Sequence, residues 1–113
     1  MQLFNTRGHK LQQFTPLHPD SVRMYSCGPT VYNHAHIGNL SSYIYADILR
    51  RTLKQCFGTT KHVMNITDVD DKTIRDSLAR YPDQPPRQAL QRLTDHYQQI
   101  FLDEMRAVGN SID

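Results

Sequence analysis

The stretch from Met24 to Asn39, MYSCGPTVYNHAHIGN, limits how this chain folds more than any other. Val22 to Ser26 reads as a buried strand that ends at a thiol, Cys27, and Gly28-Pro29 then turns the chain. His34 and His36 stand where a helix begins, at His36-Ile37-Gly38-Asn39. Leu40, Ile44 and Ile48 follow at helical spacing, and Tyr45, Leu49, Leu53 and Cys56 add a second stripe. A helix buried on two sides is therefore expected, stopped at Gly58. Lys61 to Ile66, apolar in alternation after Thr59-Thr60, reads as the next strand. Such a β-α-β unit is right-handed in nearly all cases and its strands are parallel, so the Cys27 end and the Thr67 end share one sheet edge. Ligands of open α/β sheets sit beyond that edge, where helix N-termini offer N–H groups and a positive dipole to phosphate.

The flanking segments add smaller elements. Leu3 to Thr6 is expected as an edge strand, Arg7 to Lys10 as a turn, and Leu11 to Phe14 as the returning strand of a hairpin. Thr67-Asp68-Val69-Asp70 has the form of a capping box, predicting a helix from there through about Arg80. The proline-rich segment from Tyr81 to Pro86 breaks it. A last amphipathic helix is expected over Arg87 to Val108, with Leu90, Leu93, Tyr97, Ile100, Phe101, Met105 and Val108 on one side. The fold class is thus α/β, a parallel βαβ core followed by helices. With 113 residues there is room for one domain, burying roughly two thirds of the surface its unfolded chain exposes. The chain ends at Asp113, just after a helix whose apolar face needs a cover, which reads as an N-terminal fragment of a larger catalytic domain.

Thirteen Lys and Arg against eleven Asp and Glu leave a net charge of only +2, without the concentrated basic patch that grips nucleic acid nonspecifically. DNA is not an expected partner, and any RNA partner is expected to be gripped elsewhere. Two cysteines, Cys27 and Cys56, make no disulfide framework, and no leader-like segment or apolar run of about 18 residues appears. The expected setting is the cytoplasm, away from membranes. Reduced thiols there make Cys27 a candidate ligand or nucleophile, whereas Cys56, late on a helix face, reads as a small buried hydrophobe.

Several residues at the expected edge can carry chemistry. Imidazole N–H groups of His34 and His36 can join backbone N–H groups around the phosphates of ATP, each charge-assisted bond contributing about 1.5–3 kcal/mol. Gly38 leaves room for a base or ribose to pack against the first helical turn. Histidines at a helix start are equally often solvated cap residues. Cys27 is a soft ligand suited to Zn²⁺, but zinc takes three or four protein ligands and no nearby Cys or His has the usual spacing, so spacing alone favours an ordinary strand-end cysteine, and as a ligand its partners would lie beyond residue 113. Asn65, Asp68, Asp70 and Asp71 do not fit an EF-hand, which needs Gly at the sixth position and Glu at the twelfth. Helix capping, or hydrogen bonding to a substrate amine and hydroxyl, suits these acids better.

Together MYSCGPTVYNHAHIGN, IYADILRRTLKQCFG and VMNITDVDDKTI resemble cysteinyl-tRNA synthetase, a class I aminoacyl-tRNA synthetase. The opening LFNT, the FTPLHPDSVRMYSCGPTVY segment and the closing FLDEMRAVGNSID extend the resemblance over nearly the whole chain. It implies the N-terminal part of a Rossmann-like catalytic domain and ATP-dependent activation of L-cysteine to cysteinyl-adenylate, with Mg²⁺, followed by transfer to tRNA(Cys). It further implies one zinc ion, with Cys27 among its ligands. A thiolate binds zinc far better than a hydroxyl or a methyl does, so a metal can reject near-isosteres that an apolar pocket admits.

By the same resemblance His36-Ile37-Gly38-Asn39 corresponds to the HIGH signature, with His34, His36, Gly38 and Asn39 as catalytic residues. Pro29 and Thr30 join His36, Gly38 and Asn39 around ATP, and Gly28, Thr30 and Thr67 line the cysteine pocket. Asn39 stands where many members carry His, and Ser41 where Arg is familiar. The remaining zinc ligands, the KMSKS loop and the anticodon-binding region belong to later sequence, so a fragment of this length is expected to be inactive alone. The cysteine ligase of mycothiol synthesis resembles the same N-terminal half and is the alternative enzyme. A noncatalytic remnant that binds nucleotide or a partner is the alternative outside enzymology. The spatial expectation behind these readings is that Cys27, His36 and Thr67 converge on one cleft.

Overall fold

A computed structural model describes residues 1–111; Ile112 and Asp113, where the expected break falls, lie outside them. Along the chain run strands β1 (Gln2–Asn5), β2 (Lys10–Gln13) and β3 (Ser21–Ser26), helix α1 (Ile37–Phe57), strand β4 (Thr59–Met64), and helices α2 (Asp71–Arg80) and α3 (Pro86–Ala107). β3 and β4 pair in parallel, from Ser21 opposite Thr59 to Ser26 opposite Met64. Both strands therefore end at one edge, as a crossover through a single helix requires. The pairing carries on past the strands in a parallel bridge between Thr30 and Thr67: the Val31 amide donates to Thr67 O (3.0 Å) and the Thr67 amide to Pro29 O (2.9 Å).

β1 and β2 form the expected antiparallel hairpin, one residue earlier at each end than the alternation indicates, with its tip at His9 in a left-handed conformation (φ 48°). Asn5 Nδ2 donates to Gln12 Oε1 across it (2.7 Å). Beyond the hairpin, Phe14 meets Phe57 edge to face at 5.4 Å, where α1 ends. Gly58 closes α1 at φ 80°, and its amide donates to Lys54 O, so the helix stops where a residue without Cβ makes the turn free of strain.

The core lies where α1 and α3 meet the strands. Val31, Leu93 and Tyr97 form one cluster, and Tyr43, Phe101 and Met105 another, with Ile66 packed against both. Tyr43 and Phe101 stand edge to face at 5.3 Å. α3 buries Leu93, Tyr97, Phe101 and Met105 of the expected stripe together with Ala89, whereas Leu90 and Ile100 are half-buried and Val108, past the helix end, is exposed; its first residue, Pro86, pre-sets the helical φ while lacking an N–H that would go unpaired there.

Two local expectations fail for a stated reason. α1 is buried on one side only: Tyr43, Asp47 and Leu53 face inward, whereas Tyr45 is 69% and Ile48 54% exposed, and Cys56 is exposed as well. Helical periodicity marks which residues share a stripe, but burial needs a neighbour, and among the described residues none covers the outer stripe. The cap of α2 sits three residues later than expected. Asp70 Oδ1 accepts from the Lys72 amide (2.9 Å), and Thr73 Oγ1 accepts from the Asp70 amide (2.9 Å), completing a capping box. Thr67 is unavailable for capping because its backbone is paired with Pro29 and Val31.

Asp47 is the charged group of the core. Burial raises its pKa, but hydrogen bonds from Arg51 and Arg50 more than offset that and hold the carboxyl below its ordinary range. Arg51 Nε reaches Oδ2 at 2.6 Å, Arg50 Nε reaches Oδ1 at 2.8 Å, and Arg51 also donates to Gly109 O (2.7 Å), tying α1 to the end of α3. A carboxyl whose pKa is depressed by folding stabilises the fold above the unfolded value of about 3.9, and that stability disappears as pH falls through the folded value. Asp47→Asn is expected to lower unfolding free energy by about 1–3 kcal/mol at pH 7, and the gap from the parent should close below about pH 4, as read by urea denaturation across pH.

Gly28 marks the tightest approach in the fold. A Cβ there would stand 1.8 Å from Asn65 O and 2.7 Å from Met64 Cγ. Backbone cannot yield as a flexible side chain does, so Gly28→Ala is expected to cost about 3 kcal/mol or more, and an unchanged denaturation midpoint would refute the close approach.

Candidate active site

The site is built where β3 and β4 end. Past β3, Cys27 is exposed, with Sγ 3.6 Å from the Gly28 carbonyl oxygen. Burial, and secondarily the charge of Cys27, push the Tyr43 phenol of α1 above its ordinary pKa. Asn65, just past β4, ties the two strand ends together. Its Oδ1 accepts from the Gly28 amide (3.1 Å) and from Tyr25 Oη (3.1 Å), and its Nδ2 donates to Thr67 Oγ1 (3.1 Å). One side chain thus fixes both Gly28 and Thr67. Reading from residue types considers Asn65 only as a calcium ligand; its position one residue after a strand end, opposite a Gly-Pro turn, is the signal that would have found it.

His36 is the N-cap of α1. Its Nδ1 accepts from the Gly38 amide at 3.1 Å, and its carbonyl accepts from the Asn39 (2.8 Å) and Leu40 (3.0 Å) amides. A ring nitrogen that accepts carries no proton, so the neutral ring bears its N–H at Nε2, a donor left for a ligand. The amides of Gly38, Asn39 and Leu40 are already engaged, which departs from the expectation that free backbone N–H groups receive the anion. Attraction for an anion instead falls to His36 Nε2–H, the exposed Asn39 side chain and the helix dipole, with no carboxylate in the first turn of α1 to oppose it. Around Gly38 only His36 Nδ1 comes within 4 Å of a notional Cβ, at 3.4 Å, so the glycine answers no packing demand of the chain itself.

A small cavity of about 80 Å³ adjoins these groups. Pro29, Thr30, His34, His36 and Asn39 line it, with Tyr97, Phe101 and Glu104 of α3 on the far side. Cys27, Gly28, Gly38 and Thr67 do not line it; Gly28 and Thr67 are joined to its wall through Asn65 and the Pro29–Val31 pairing. His34 is drawn toward α3, where its Nδ1 lies 3.1 Å from Glu104 Oε1 and its ring meets Tyr97 edge to face at 5.7 Å. Ser41 Oγ donates to Gly38 O (2.7 Å), inside the helix's own first turn.

A larger cavity of about 590 Å³ lies between α1, β4 and α3, lined by Tyr43, Asp47, Arg50, His62, Phe101 and Met105 among others. His62 Nε2 and Ser26 Oγ are 2.8 Å apart, and burial, then the charge of Arg50, lower the His62 pKa. No group of three or more His, Cys, Asp or Glu able to hold a metal ion occurs among the described residues, and Cys27 alone does not make a zinc site.

A parallel βαβ unit followed by helices is the architecture expected of the N-terminal part of a class I synthetase catalytic domain. Residues 13–111 match the family model described as the tRNA synthetases class I (C) catalytic domain, and the chain belongs to that family. It is similar to cysteine–tRNA ligases: 47% identical to that of Koribacter versatilis over 109 residues, covering 96% of this chain and 21% of the relative. The Rhodopseudomonas palustris (strain BisA53) enzyme is 45% identical over 112 residues (96% and 24%), and that of Leptospira interrogans serovar Lai 39% over 112 (99% and 22%). The chain therefore spans about a fifth to a quarter of the length of these relatives.

The cap can be separated from any ligand duty of the same ring. His36→Ala is expected to cost about 1 kcal/mol of stability, whereas His36→Asn, itself a favourable cap, should stay within a few tenths of the parent in thermal or urea unfolding.

Proposed function

We propose that this chain supplies the first part of the catalytic domain of a cysteine–tRNA ligase, which activates L-cysteine with ATP to cysteinyl-adenylate and then acylates tRNA(Cys). The observation that carries the reading is near-complete coverage of the chain by a synthetase catalytic-domain family, joined to a His36 ring whose cap bond leaves Nε2–H as a donor. In activation the cysteine carboxylate attacks the α-phosphorus of ATP and pyrophosphate departs. Negative charge builds on the phosphate oxygens, and Mg²⁺ accompanying ATP would supply part of its neutralisation. His36 Nε2–H and Asn39 serve as donors to that charge, with Pro29 and Thr30 forming the wall beside them. Gly38 leaves space against the helix for the nucleoside.

Gly28, Thr30 and Thr67 form the cysteine side of the cleft in this reading, and Asn65 holds Gly28 and Thr67 in register. Cys27, at the strand end, would supply one thiolate ligand to zinc, the others being expected from later sequence. The transition state needs donors from both halves of such a domain, so this segment by itself is not expected to turn over. A cytoplasmic setting accords with the substrates; no described helix is long and apolar enough to cross a membrane.

Cysteine-dependent ATP–pyrophosphate exchange tests the proposal directly. The protein expressed from its complete reading frame should exchange far above a cysteine-free control, and the 113-residue chain should stay at background. Absence of cysteine-dependent exchange in the complete protein would overturn the reading, and robust exchange by the 113-residue chain would overturn its dependence on later sequence.

A further inference from the structure

His34 and His36 stand two residues apart at the cavity above α1, yet each ring is engaged through Nδ1 by a partner of opposite character. His36 Nδ1 accepts from the Gly38 amide at 3.1 Å. His34 Nδ1 lies 3.1 Å from Glu104 Oε1, and an ionised carboxylate only accepts, so this nitrogen carries the proton. In its neutral form an imidazole has one N–H, and in that form the two rings present opposite chemistry at Nε2: a donor on His36 and a lone pair on His34. Chain spacing cannot create this difference. It arises because Glu104 reaches back from α3, seventy residues away, to a ring that the local turn leaves free.

The groups around His34 fix more than its tautomer. Tyr97, two helical turns before Glu104, sets its ring edge to face with the imidazole at 5.7 Å and an interplanar angle of 82°. Arg80 Nη1 of α2 donates to Tyr97 Oη at 2.7 Å, and its guanidinium lies over the same ring. Glu104 Oε2 is buried without a hydrogen-bond partner, so within the described residues His34 is the partner that engages this carboxylate. The α3 surface thus orients a side chain that is itself well exposed, with its backbone in the loop before α1.

We infer that Glu104, supported by Tyr97, is a positioning residue that holds His34 as an acceptor, so that the paired rings read a ligand bearing an oxyanion beside a hydrogen-bond donor. The inference rests on the proposed ATP and cysteine site. His36 Nε2–H meets the phosphate oxygen, and His34 Nε2 accepts from the donor, either a ribose hydroxyl of ATP or the ammonium group of cysteine. These two sources share one chemistry and are separable by experiment.

The test uses the protein from its complete reading frame with its histidine rings labelled with ¹⁵N. The parent should show His34 protonated at Nδ1, and Glu104→Ala should move the proton predominantly to Nε2; Glu104→Gln keeps an acceptor and serves as the conservative variant. Binding is then compared for ATP against 2′-deoxy-ATP and 3′-deoxy-ATP, and for cysteine against 3-mercaptopropionate. In the parent one of these omissions should weaken binding about tenfold, the worth of one hydrogen bond, and in Glu104→Ala that penalty should vanish while Glu104→Gln retains part of it. A hydroxyl penalty identifies the ribose as the source, and an amine penalty the amino acid. A His34 ring protonated at Nε2 in the parent, or a penalty unchanged in Glu104→Ala, would overturn the inference. Failure of the parent to bind either ATP or cysteine would remove the functional reading, and the ring spectra would still decide whether Glu104 positions His34.

Discussion

The close approach of Gly28 to the backbone after β4 is the constraint on which the rest of the structure depends. With 1.8 Å between a notional Cβ and Asn65 O, only a residue without a side chain lets the turn after β3 lie against the end of β4. The Asn65 side chain then spans the contact, and the backbone pairing resumes at Thr30 and Thr67. That second pairing aims Val31 into the core and starts the loop that delivers His34 and His36 to the head of α1. A methyl group at residue 28 would disturb each later step, although the residue directly contacts only the first of them, the Asn65 side chain.

The helix head illustrates how one side chain divides its labour. His36 spends Nδ1 on the helix, so in the proposed site an N–H at Nε2 would serve the ligand and the structural and functional duties would not compete. Of the amides that a generic anion site would offer, that of Gly38 is engaged by the His36 ring and those of Asn39 and Leu40 by the His36 carbonyl. Recognition therefore shifts from backbone to side chains, and the identity of residues 36 and 39 gains weight that a backbone cradle would not give them. Asn39 supplies a neutral donor at that position.

α3 is more than a cover. Its apolar face closes the core through Leu93, Tyr97, Phe101 and Met105, while Glu104 at its edge reaches the histidine loop. Arg51 of α1 in turn grips Gly109 O past its end. Packing and site geometry are thus joined in one element, and a disturbance of α3 packing is felt at the cavity. The outer stripe of α1 with Tyr45 and Ile48 has no such cover among the described residues, which sets it apart from the face that builds the site.

By itself the sequence determined the order and type of the elements, because hydrophobic period, glycine and proline are local signals. The hairpin, the βαβ unit, the helix stop at Gly58 and the stripe of α3 all follow from residues within one or two turns of each other. It also singled out His34, His36, Gly28 and Thr67 by type and position. Only the tertiary structure decided what those residues do with their hydrogen-bonding groups. Thr67 pairs with the Pro29–Val31 backbone and yields the cap of α2 to Asp70; α1 is buried on one side because burial needs a neighbour and not only a period. Asn65 and Glu104 acquire their roles from partners 37 and 70 residues away in the chain, a distance over which residue spacing carries no information about contact.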